Sequence, residues 1–314
     1  MNQYMPEGVA SSDIARDFSG RDGLMRAMAC GAILEGVAVM CDHRYNLHIE
    51  LGGGIRGIIP REESQYPTGG EGIKDIAILT RVGKRVCFKV KELTTQKSGE
   101  TLAVLSRRAA QEECRRKYLS TLTPGDIIPA RVTHLESFGA FLDVGCGIPS
   151  LLAVDCISVS RISHPSERLS VGDCISVVVK GFDERGRMSV SQKELLGSWE
   201  ENAALFSEGE TVRGIIRSVE SYGVFVELTP NLAGLAEWRD DVYPGQLAAV
   251  YIKSIIPEKM KVKLIIIDSF DSAEEISFDY FIDSGHIDYW KYSPDNCRKL
   301  VETNFSSLEN SSII

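Results

Sequence analysis

The sequence contains no apolar run approaching the roughly 18 residues of a membrane-crossing helix, which excludes a transmembrane segment of that kind. Its opening, MNQYMPEGVASSDIARD, has no basic stretch leading into an apolar one, so a secretory signal is not expected. There is no GxxxxGK[ST] run, no GxSxG elbow and no HExxH, so a P-loop, a hydrolase nucleophile turn and a zincin site are not expected. Positive charge is not in excess: 35 Lys and Arg stand against 44 Asp and Glu, a net charge of -9. A uniformly basic coat for polyanions is thereby ruled out, and any such binding must be local. None of the eight cysteines forms a CxxC pair, and a chain of this length buries a core without disulfide staples. They read as reduced, mostly buried thiols of a cytoplasmic protein. Cys41, His43 and His48 come nearest to a metal cluster, but strand alternation places His48 on the opposite face from the other two, so no metal site and no cofactor is expected.

What is present is repetition. GDIIPARVTHLESFGAFLDVGCGIPSLL (125–152) matches GETVRGIIRSVESYGVFVELTPNLAGLA (209–236) without a gap, at a constant offset of 84 residues. Each block is followed by a second glycine-led segment, VGDCISVVVKGF and PGQLAAVYIKSI, and then by a short alternating run, GRMSVSQ and KVKLIII. A weaker copy precedes them, with the same order of apolar runs and turns over 31–60, 81–93 and 101–108. Each unit thus carries about five short strands rich in Val, Ile and Phe, separated by Gly, Asp, Asn and Pro, a pattern that predicts an all-β barrel of Greek-key type rather than a larger sandwich. Closing each sheet removes the edges that three small sheets in a row would expose.

The segments between units read as helical. RRAAQEECRRKYL (107–119) is rich in helix formers and sets Glu112 and Arg116 at i, i+4. Residues 192–206 bring Leu195, Trp199 and Phe206 near one face, with Gly197 as a weak point. A short helix over 21–30 is expected to end at Gly31. The resulting plan is an N-terminal extension (1–29), a degenerate barrel (30–108), a helical connector (109–120), a central barrel (121–195), a second connector (196–206), a third barrel (207–267) and an acidic, aromatic extension (268–314). That extension holds ten acids and three bases, hence -7 of the total charge, together with eight aromatics; an ordered piece over about 276–305 and a frayed Ser-rich end are expected.

The repeated aromatic-Gly-x-Phe carries the functional signal. Two aromatics three apart fall on opposite faces of a flat strand, so a bulge at Gly139 and at Gly223 is expected to bring Phe138 with Phe141, and Tyr222 with Phe225, to one surface. Paired rings on a barrel face form a platform on which unpaired bases stack. The run GDIIPARVTHLESFGAFLDVG, followed by VGD-x4-V and D-x-R-G-R-x-x-x-S, resembles the RNA-binding repeat of bacterial ribosomal protein S1, a subgroup of the oligonucleotide/oligosaccharide-binding (OB) fold. The likeness is good over 121–195, moderate over 207–267 and only in outline over about 30–108.

The resemblance implies three tandem five-stranded OB barrels that bind single-stranded RNA on their faces. It implies Phe138, Phe141, Asp183 and Arg187 as site residues of the central unit, with Ala153 where the family usually has histidine. In the last unit it implies Tyr222, Phe225 and Lys261, with Glu237 at the histidine position, where it would repel phosphate. The first unit is expected to lack the aromatic pair, with residues 46–49 in its place. Arg131, Lys180 and Arg185 are candidates for further local positive charge, and His134 for the platform's edge; Trp238 could stack on a base or simply pack. The partners implied are mRNA and the small ribosomal subunit, with no membrane and a monomeric chain. The other reading is an interaction scaffold that kept the fold and lost its RNA sites, favoured by Ala153, Glu237 and the acidic balance. An RNA-processing enzyme is the third class, and no catalytic residues are expected.

Overall fold

The structure is a computed structural model that describes residues 4–9, 18–67, 72–95, 101–271 and 279–306. Three closed five-stranded barrels follow one another. The first comprises β1 (Leu34–Cys41), β2 (Leu47–Glu50), β3 (Arg56–Ile59), β4 (Arg85–Thr95) and β5 (Thr101–Ser106). The central one comprises β6 (Ile127–Glu136), β7 (Gly139–Asp143), β8 (Pro149–Ala153), β9 (Cys174–Phe182) and β10 (Met188–Ser191). The third comprises β11 (Thr211–Glu220), β12 (Gly223–Thr229), β13 (Leu232–Ala236), β14 (Leu247–Ile256) and β15 (Lys261–Phe270). All three have the same cyclic order, in which the third and fifth strands pair in parallel and close the barrel. The fold class is therefore the expected one: tandem all-β modules of OB type with short helical connectors.

Alternation explains the interiors. In the central barrel Ala130, Val132, Ala140, Leu142, Leu152, Val177, Val179, Met188 and Val190 are all buried, each separated along its strand from the next inward residue by one that faces out or packs on a neighbour. Gly139 and Gly223 act differently from the expected bulge. A Cβ on Gly139 would lie 2.4 Å from the carbonyl oxygen of Leu152, and one on Gly223 would lie 2.5 Å from that of Ala236. These glycines let adjacent strands approach closely. The bulges lie in the partner strands, between Val132 and His134 of β6 and between Ile216 and Ser218 of β11.

Helix α1 (Gly20–Cys30) ends on Gly31, whose φ of 67° is the left-handed turn a helix stop asks of glycine. A short helix α2 (Asp75–Leu79) covers part of the first barrel. Helix α3 (Arg107–Lys117) leaves β5 directly; Ser106 caps it by accepting from the Ala109 N–H at 2.8 Å. Glu112 and Arg116 form no ion pair among the described residues, in contrast to the i, i+4 expectation. The second connector is not one helix. A 3-10 turn over Lys193–Leu196 stops at Gly197 (φ 80°), and α4 (Trp199–Ala203) restarts from a capping box of Ser198 and Glu201. All eight cysteines are unpaired, but only four are buried, whereas Cys30 and Cys174 are exposed. No helix among the described residues is long and apolar enough to cross a membrane.

Both junctions between barrels are stapled. At the first, residues 4–9 thread between the barrels. Glu7 takes a two-pronged hydrogen bond from Arg107 (2.7 and 3.0 Å) and one from the Cys87 N–H (3.1 Å), and its own N–H donates to Asp143 at 2.7 Å. At the second, Arg168 of the central unit forks onto the buried Glu227 of the third (2.6 and 2.5 Å), and Arg217 shares the same carboxylate. Residues 279–306 then fold back over this junction. Tyr280 accepts from Gln192 at 2.8 Å, the Phe281 N–H donates to the Leu195 carbonyl, and Trp290, Tyr292 and Phe305 are buried against the third barrel. A two-stranded hairpin of β16 (Tyr289–Lys291) and β17 (Glu302–Asn304) frames them. The first residues of the expected extension belong to β15, while residues 272–278 and the expected Ser-rich end beyond Ser306 lie outside the described residues.

Candidate nucleic-acid interface

Phe138 stands in the turn before β7 rather than on the strand. That placement frees it from strand alternation and lets it share a surface with Phe141, which faces outward on β7. Phe138 is 54% exposed, and the two rings meet edge to face with centroids 6.0 Å apart and planes at 89°. His134, paired with Phe141 across the bulge, lies nearly parallel to that ring (23°) at 6.4 Å. His134 also meets Glu136 at 2.8 Å. Edge-to-face contact fixes both rings while leaving flat surface open to a stacking partner.

Asp183 and Arg187 flank the tight turn between β9 and β10. The Asp183 carboxylate accepts from the Arg187 and Arg185 backbone N–H groups and from the Arg187 Nε at 2.7 Å. The N–H donors and the guanidinium hold its carboxyl below the usual range. The pair is exposed, and the terminal nitrogens of Arg187 have no hydrogen bond among the described residues, so they are open to an anion. Phe141, Asp183 and Arg187 line one groove of about 950 Å³, which therefore gathers three of the four central residues expected from sequence, with Phe138 in contact at its edge. Two other expectations need correction. Arg131 is turned to the junction, where it donates to the carbonyls of Glu7 (2.7 Å) and Gly172 (3.2 Å), and Lys180 reaches the Cys156 sulfur. Neither lines the groove.

The third barrel repeats the geometry. Tyr222 is 67% exposed and meets Phe225 edge to face at 6.0 Å and 88°. Strand register locates the cations. Phe141 pairs with Leu151 and Leu151 with Ser189; correspondingly, Phe225 pairs with Leu235 and Leu235 with Lys263. Lys261, two residues before that row, thus stands at the station of Arg187. Lys263 is exposed in the row itself, where the central barrel has serine, and sequence comparison alone passed over it. Glu237 and Trp238 are both exposed just beyond β13.

The same register corrects the first barrel. Met40 pairs with His48 immediately after a bulge in β1, as His134 pairs with Phe141 after the bulge in β6. His48 therefore occupies the station of Phe141, and Tyr45, three residues earlier, that of Phe138. The ring pair is replaced rather than absent: YNLH keeps the aromatic-x-x-ring spacing that would have revealed it. Both rings are engaged, His48 with Asp42 at 3.3 Å and Tyr45 beneath the Arg61 guanidinium at 5.9 Å. Asp42 spends its carboxylate on this turn, accepting also from Arg44 and Asn46, so the Cys41-His43-His48 segment is organised as a hairpin turn.

Tandem OB barrels with outward ring pairs place the chain among the OB-fold modular proteins. The S1 RNA binding domain family matches residues 121–193, the central barrel. Small ribosomal subunit protein bS1 of Staphylococcus aureus is 30% identical over 230 residues, covering 68% of this chain and 56% of that protein. A bS1 homolog of Bacillus cereus is 28% identical over 257 residues, covering 77% of this chain and 63% of its own. Among solved structures, a multidomain protein with nucleic acid binding domains from Streptococcus pneumoniae covers 77% of this chain and 76% of its own at 16% identity, with a TM-score of 0.25. The central barrel belongs to the S1 RNA binding domain family, and the chain, similar over two thirds or more of its own length to bS1 proteins, spans little more than half the length of the curated relatives it matches.

Proposed function

We propose that the protein binds single-stranded RNA, with the central barrel as the principal site and the third as a weaker one. The reading is carried by one observation: the exposed Phe138 and the half-buried Phe141 form a ring pair at the groove that the open guanidinium of Arg187 lines. A base stacks on the ring surface, Arg187 meets a phosphate, and Asp183 holds Arg187 in place. In the third barrel Tyr222, Phe225, Lys261 and Lys263 do the same work against the opposing charge of Glu237. Joining two modest sites on one chain raises avidity without new contacts, which suits a protein of net charge -9. Kinship with small ribosomal subunit proteins supports messenger RNA as the ligand and the small subunit as the partner, in the cytoplasm, with the chain acting as a monomer.

The test is fluorescence anisotropy with labelled oligouridylate at low salt. Stacking contributes about 1–3 kcal/mol per base, so Phe138→Ala with Phe141→Ala is expected to weaken binding by at least about fivefold. Wild-type affinity in that double variant would refute the site. No binding by the unmodified chain at low salt would favour the scaffold reading, to which the exposed Glu237 already points.

A further inference from the structure

The groove beside Phe141 is not made by the central barrel alone. Its opposite wall is α3 and the turn that follows it, and Tyr66 of the first barrel's loop lines it as well. Arg115 ties these parts together. Its guanidinium lies 5.4 Å from the centre of the Tyr66 ring and donates to the Gly186 carbonyl at 3.0 Å, within the turn that carries Asp183 and Arg187. Arg116, the next residue, lines the groove, is exposed and has no ionic partner among the described residues. Basic residues suit the last turn of any helix because they face its negative end. That explains their presence in RRK, but not the anchoring of one of them across the groove onto the hairpin of another domain. At about 950 Å³ the groove is at the upper end of the roughly 300–1,000 Å³ range that encloses a whole drug-sized ligand. There is room for chain beyond the base held at the ring pair.

We propose that the connector helix is part of the binding site: a single strand stacked at Phe138 and Phe141 continues into the groove between α3 and the central barrel, where Arg116 meets a phosphate. Arg115 is a positioning residue, holding Tyr66 and the 183–187 turn at a fixed separation. The inference rests on the RNA-binding reading above and adds to it a direction, from the central barrel toward the first. It also makes the site longer than a single barrel face.

The test compares the full chain with Arg116→Gln, the Phe138→Ala/Phe141→Ala double variant and Lys84→Gln, an exposed charge outside the groove. The probes are labelled oligouridylates of about four and about twelve nucleotides, a short and a long length within the roughly 4–16 nucleotide range of OB-fold sites. Arg116→Gln is expected to weaken the longer probe about fivefold and to flatten the slope of log affinity against log salt by about 0.7, one phosphate contact on a single strand. It is expected to leave the shorter probe unchanged, whereas the double variant weakens both. If Arg116→Gln behaves as Lys84→Gln on both probes while the double variant is weakened, the helix is only a spacer and the proposal falls with the ring-pair site intact. If the double variant binds both probes as the unmodified chain does, the ring-pair reading fails and takes the proposal with it.

Discussion

Replacing Glu7 with glutamine tests what holds the first two barrels together. Glu7 is 6% exposed and Arg107 2%, and the two meet through a pair of hydrogen bonds at 2.7 and 3.0 Å. Arg81 approaches the same carboxylate at 3.6 Å. Burial disfavours the charged carboxylate, yet the two guanidiniums and the Cys87 N–H hold Glu7 below its ordinary value, so it is ionised at neutral pH. Glutamine keeps the shape and one carbonyl oxygen but removes the charge that Arg107 pairs with directly, leaving only the Asp143 carboxyl nearby. Removing one partner of a buried pair costs about 3–5 kcal/mol. Arg107 keeps the carbonyls of Ser64 (3.2 Å) and Gly147 (3.3 Å), which places the expected cost at the lower end, about 3 kcal/mol. Because three barrels need not unfold together, the informative assay is local: hydrogen exchange read by mass spectrometry over 84–90 and 143–148. At 1.36 kcal/mol per decade, exchange there is expected to quicken on the order of 100-fold, with the third barrel unaffected. A change below about threefold, within the noise of an ordinary surface substitution, would refute the view that this pair closes the junction.

Two further outcomes follow from the same region and from the ring pair. Burial and the neighbouring Glu7 charge push Asp143 up to about 7, against the pull of three backbone N–H donors. A carboxyl raised in the folded state contributes stability that is full below its unfolded value near 4 and is lost as pH rises through about 7. The melting temperature is therefore expected to decline between pH 5 and about 7.5, with Asp143→Asn flattening the profile; an unchanged slope in the variant would refute the assignment. Gly139→Ala would press a Cβ to 2.4 Å from the Leu152 carbonyl, so a loss on the order of 2 kcal/mol in urea unfolding is expected, together with weaker RNA binding as the Phe138 turn shifts; wild-type values of both would contradict the close-approach role.

Much of the architecture was written in local patterns. Strand alternation and the 84-residue repeat located two barrels, and aromatic-Gly-x-Phe located their ring pairs. The mechanism behind the ring pairs was misread, because strand geometry was applied to Phe138, which belongs to the turn. Tyr45 and His48 were passed over because histidine replaces phenylalanine and no glycine separates the rings. The junctions were not legible at all. Glu7 and Arg107 are 100 residues apart, Arg168 and Glu227 are 59 apart, and no periodicity links them. Tyr66 and Arg115 belong to the same class: each has an unremarkable local setting, and only the folded chain sets one against the other.

The fold-back of residues 279–306 bears on how the molecule is made. Translation proceeds at about 5–20 residues per second, and modules fold as they emerge. The last strand of the third barrel ends at Phe270 and the segment is complete at Ser306, so the nascent chain waits roughly 2–7 s with that barrel closed but its apolar flank open to water. During that interval Gln192, Leu195 and Asn231 lack the partners that Tyr280, Phe281 and Tyr292 later provide. The Arg168–Glu227 fork already joins the two downstream modules by then, and the trailing segment seals the seam when it arrives.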